Sequence, residues 1–100
     1  MRFGLSDKVI GELHAVFGRH ENVRKVLIFG SRAKGNYHEG SDIDLAAVGT
    51  DITRRQLFDI CTEIENIGLL YHVDLLDYER HKHTAIGRHI DRVGQLFYSA

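Results

Sequence analysis

A chain of 100 residues, 43% hydrophobic and 27% charged, suffices for one domain, read as residues 1–100, and carries too many apolar side chains to be disordered. Its 13 basic and 14 acidic residues nearly cancel, which argues against a protein that coats nucleic acid; direct nucleic-acid binding is not expected, whereas a nucleotide neutralised locally by a metal ion is not excluded. The single cysteine, Cys61, rules out a disulfide within the chain, and with no apolar leader and no run near the ~20 residues of a membrane span the expected location is cytoplasmic.

In chain order, Ser6 and Asp7 are placed to cap a first helix, along which Val9, Ile10, Leu13, Val16 and Phe17 recur at helical spacing. The apolar run Val26–Phe29, closed by Gly30, predicts a buried strand. Residues 31–41 read as a loop with one helical turn at Ser31–Lys34, and Ile43–Val48 as a second strand. Thr53 and Gln56 match a capping box for a helix over about 54–66, with Leu57, Ile60, Cys61, Ile64 and Ile67 on one face. Leu70–Leu76 is expected to be a third strand. Ile86, Ile90, Val93 and Phe97 suggest a last helix ended by Gly94, with a short edge strand at Gln95–Tyr98. The expected fold class is α+β: a small mixed β-sheet flanked by helices.

Chemistry concentrates in the stretch GSRAKGNYHEGSDID. A glycine after a buried strand lets backbone amides approach a ligand, and a helical turn starting at Ser31 would present free N–H groups to phosphate. Arg32 and Lys34 bring positive charge to the same loop. The competing phosphate motifs fail on their letters: the Walker A spacing from Gly30 to Gly35 is followed by Asn36–Tyr37 instead of Lys-Ser/Thr, and no G-x-G-x-x-G is present.

Ten residues separate Ser31 from Asp42, and a strand would point Asp42 and Asp44 to the same side, sending Ile43 and Leu45 into the core. Adjacent carboxylates repel unless a cation sits between them, and Mg2+ accepts such oxygen ligands while keeping positions open for phosphate. Asp74 stands within the apolar third strand, where an unpaired buried carboxylate would be costly, so a metal site would account for it. Asp77 competes as the third carboxylate, although the strand end suits a capping role better.

With VLIF before it and HVDLLD after it, this stretch resembles the minimal nucleotidyltransferases of the DNA polymerase β superfamily, whose pattern is Gly-Ser, a spacer, Asp-x-Asp, and a later carboxylate. Gly30, Ser31, Asp42, Asp44 and Asp74 match it one by one. The resemblance implies transfer of a nucleoside monophosphate from a triphosphate, usually ATP, to an acceptor hydroxyl. It implies two Mg2+ ions held by Asp42, Asp44 and Asp74, with the nucleotide bound at Gly30, Ser31, Arg32 and Lys34. It also implies a partner, a small helical HEPN-type protein, which such antitoxins in some cases modify with AMP on a tyrosine. The alternative is a non-catalytic nucleotide-binding antitoxin or regulatory subunit that masks a partner.

A chain this short leaves the site open on one side, for a partner or a second copy to cover. Phe3, Tyr71, Phe97 and Tyr98 are candidates for such a surface, with core packing favoured for each. His81–Lys82–His83 reads as a solvated tract, His72 as a residue packing at the sheet surface, and Cys61 as a buried inert thiol.

Overall fold

A computed structural model describes residues 1–100. Nine elements follow the chain: α1 (Asp7–Gly18), β1 (Val23–Phe29), α2 (Gly30–Lys34), β2 (Ile43–Gly49), α3 (Arg54–Ile67), β3 (Val73–Asp77), α4 (Tyr78–His81), α5 (Ala85–Val93) and β4 (Gln95–Ser99). The strands form one mixed sheet in the order β3-β2-β1-β4, with β1 antiparallel to both of its neighbours and β2 parallel to β3. A parallel pair needs a crossover, and α3 supplies it.

The helix starts follow the local chemistry. The Ser6 hydroxyl accepts from the Val9 amide at α1, and that of Thr53 from the Gln56 amide at α3. The reciprocal half of the expected capping box is absent. The Gln56 side chain bonds Asn22 and approaches His20, tying α3 to the turn before β1. β1 starts three residues earlier than the apolar run suggests, because Arg24 and Lys25 extend the strand with exposed side chains. β3 starts at Val73, not Leu70: Gly68 ends α3 in a left-handed conformation, and Leu70 lies fully exposed in the turn that follows. The polar stretch after β3 contains α4, capped by Asp77.

Alternation along the strands divides the apolar residues between two faces. On one face, α1 and α3 cover Val23, Val26, Ile28, Ile43, Leu45 and Ala47, joining Leu13, Phe17 and Ile60 in the main core. On the other, α5 covers only Phe29 and Ala46, through Ile90, with Leu27, Leu76, Tyr78 and Val93 at the margin. Of the aromatic residues considered for a surface, Phe97 is buried, and Phe3, Tyr71 and Tyr98 pack against the main core. No helix is long and apolar enough to cross a membrane.

Candidate active site

The site lies on the thinly covered face, at the end of the sheet where β1 finishes and β2 and β3 begin. Antiparallel pairing sets Phe29 opposite Asp44, and parallel pairing sets Asp44 opposite Asp74. Paired residues on adjacent strands share a face, so Phe29, Asp44 and Asp74 form a row across three strands at a spacing of about 4.8 Å. Asp42 stands one residue before β2, close enough for its charge to act on Asp44. The sheet thus sets Asp74 beside Asp44, and the charges of Asp74 and Asp42 both reach Asp44.

Asp77 does not compete. Strand alternation places it on the opposite face, opposite Ala47 of the main core. It is buried, accepts from the Glu79 amide and pairs with Arg80 at 3.2 Å. Contrary to the expectation of a buried carboxylate, Asp74 is exposed because β3 is an edge strand, so no burial cost calls for a partner there.

Electrostatic strain falls instead on the half-buried Asp44. Burial pushes its carboxyl above the ordinary value of 3.8, and the charges of Asp74 and Asp42 push it further, while His72 and His89 act in the opposite direction. His72 is exposed at the entrance to β3. His89 was not anticipated; its only sequence signal is a place on α5 one residue before Ile90, and its relation to Asp44 is purely tertiary.

The turn after β1 is built against the same carboxylate. Gly30 has φ +72°, and a Cβ there would collide with Oδ2 of Asp44, so glycine is required for conformation and for space. Gly30 opens α2 with Ser31 as its second residue, and the helix ends after Lys34 at a left-handed Gly35, with Lys34 exposed. Arg32 departs from expectation. Only 2% of it is exposed, and its guanidinium donates to the carbonyls of Phe3, Glu39 and Ser41. The rings of Tyr37 and Tyr71 stack on it, at 5.2 and 4.9 Å. Its donors are committed to fastening the 36–41 loop and the N-terminus, so it is not a phosphate ligand.

No group of three or more His, Cys, Asp or Glu side chains is arranged to hold a metal ion unaided. Among the other residues weighed, Cys61 has its thiol pushed up by burial, then by Glu65 and Asp74, which keeps it protonated. His81 is tied to the Asp77 carbonyl.

A mixed sheet with flanking helices, a Gly-Ser turn and carboxylates on two adjacent strands defines the nucleotidyltransferase class of fold. The family model described as "Polymerase beta, Nucleotidyltransferase" matches residues 11–100, and the chain belongs to that family. It is 43% identical over 42 residues to a Methanocaldococcus jannaschii protein provisionally named a protein adenylyltransferase; the match covers 42% of this chain and 41% of that relative's length. The fold superimposes with a TM-score of 0.71 on a chain of a toxin–antitoxin crystal structure with AMP-PNP, at 23% identity, covering 96% of this chain and 75% of the other. It likewise matches a chain of the tri-AMPylated Shewanella oneidensis HEPN toxin in complex with MNT antitoxin, with a TM-score of 0.70, 16% identity, and 96% and 74% coverage.

Proposed function

We propose that the chain transfers AMP from ATP to a hydroxyl group of a partner protein, and acts as the antitoxin half of a pair with a helical HEPN-type toxin. The observation that carries this reading is the register that sets Asp74 beside Asp44, on the side where Gly30 turns against the Asp44 carboxylate. The fold shared with toxin–antitoxin chains supports the choice of partner.

The donor set suits Mg2+. All three acidic groups offer hard oxygen ligands, and Mg2+ is usually held by one or two carboxylates with phosphate and water completing its shell. Asp42, Asp44 and Asp74 would hold two such ions, which supply charge neutralisation for the triphosphate and acidify the acceptor hydroxyl.

The chain's own groups do the rest. The Gly30–Ser31 amides and the Ser31 hydroxyl hold the outer phosphates, with Lys34 the exposed cation of the same turn. The exposed Asp74 carboxylate accepts the acceptor's proton as that oxygen bonds to the α-phosphorus. The bond from the α-phosphorus to the bridging oxygen breaks, and pyrophosphate leaves with the electron pair.

The test incubates the chain and its co-purified partner with Mg2+ and ATP labelled on the α-phosphate. Label entering the partner is expected. Tight association without label would replace this reading with that of a masking, non-catalytic antitoxin.

A further inference from the structure

Resting on that reading, the geometry points to His89 as a ligand of the ATP outer phosphates, taking the place on the triphosphate that Arg32 leaves empty. The Gly-Ser turn offers amides, one hydroxyl and the exposed Lys34, whereas Arg32 is turned inward and spent on three backbone carbonyls. A further donor to a triphosphate there can come only from a neighbouring element, and α5 packs directly against α2.

His89 is the α5 side chain in position. Its ring meets Phe29 edge-on at 6.3 Å and 83°, and Phe29 is the cross-strand partner of Asp44. The imidazole therefore stands on the β1 side of the carboxylate row, while Asp74 and His72 stand on its β3 side. Both imidazoles act on Asp44, His89 from the β1 side and His72 from the β3 side.

The placement is rigid. A Cβ at Gly87 would collide with the His81 carbonyl, so the start of α5 is pressed onto the backbone after α4. At the far end the Gln95 side chain donates to the Ala33 carbonyl of α2 at 2.7 Å. The half-buried His89 is thus carried on a helix fixed at both ends.

The experiment measures binding of a non-hydrolysable ATP analogue and of AMP, each with Mg2+, to the wild type, His89→Ala and His89→Gln. A charge-assisted hydrogen bond predicts about 10- to 100-fold weaker analogue binding for His89→Ala, with AMP affinity unchanged. His89→Gln, which keeps an N–H donor, recovers part of the loss. Equal weakening of analogue and AMP, or no change in either, overturns the inference while leaving the proposed activity intact. A wild type that does not bind the analogue overturns both. If His89→Ala melts early, the His89→Gln comparison decides alone.

Discussion

The two faces of the sheet are built for different ends. Under α1 and α3, strand after strand contributes side chains with almost no exposure, and the main core is continuous. Under α5 the apolar cluster is Phe29, Ala46 and Ile90, after which the same strands turn to Asp44 and Asp74. One face gains stability from burial, and the other accepts like charges at close range because it is only partly covered. The difference shows how a chain of 100 residues carries a reactive centre: the unfavourable electrostatics sit where little of the fold depends on them.

Asp44→Asn separates the faces most sharply. Even groups that only orient metal ligands cost about 10- to 100-fold when removed, so losing Asp44 should lower AMP transfer by at least about 100-fold. Stability should move the other way. A carboxyl raised in the folded state stabilises below its ordinary value of 3.8, and that contribution is lost as pH rises through the folded value. At neutral pH the ionised Asp44 therefore works against folding, and the Asn variant should melt higher than wild type in metal-free buffer. A lower melting temperature would show that Asp44 belongs to the structural side of the comparison.

Leu13→Ala, in the core beneath α1, should cost about 3 kcal/mol in urea denaturation while leaving the proposed transfer activity intact below the transition. Arg32→Ala should cost about 2 kcal/mol, since it removes charge-assisted bonds to three carbonyls. If Arg32 instead held phosphate, the loss would appear in ATP affinity with stability unchanged.

The smallest effect is at Glu63. Burial pushes this carboxyl up, but hydrogen bonds from His20 and Arg19 outweigh it, and the net displacement is below the ordinary 4.5. A depressed carboxyl stabilises above its ordinary value and ceases to do so as pH falls through the folded one. Melting curves of Glu63→Gln should lose part of the wild type's decline below about pH 4.5 and coincide in shape at higher pH.

Elements set by local chemistry were legible before any coordinates. The Ser6 and Thr53 caps, the apolar runs and the glycine after β1 each act within a few residues. The Gly-Ser and Asp-x-Asp letters lie close together in the chain for the same reason. What could not be read is what depends on distant segments. Arg32 has the letters of a phosphate ligand, but Phe3, Tyr37 and Tyr71 decide that it is buried. Asp74 lies in an apolar run, yet its exposure follows from β3 being the edge strand. His89 reaches Asp44 only because α5 returns across the sheet.

The parallel pairing of β2 and β3 has a consequence for change over time. Asp44 and Asp74 are 30 positions apart in sequence, yet their separation in space is one strand repeat and does not depend on how long the connecting chain is. Turns can be inserted or trimmed around α3, or residues added near the fully exposed Leu70, without displacing either acid. The constraint falls on ladder register: a one-residue slip of β3 would swing Asp74 under α3 and bring Val73 or Leu75 to its place.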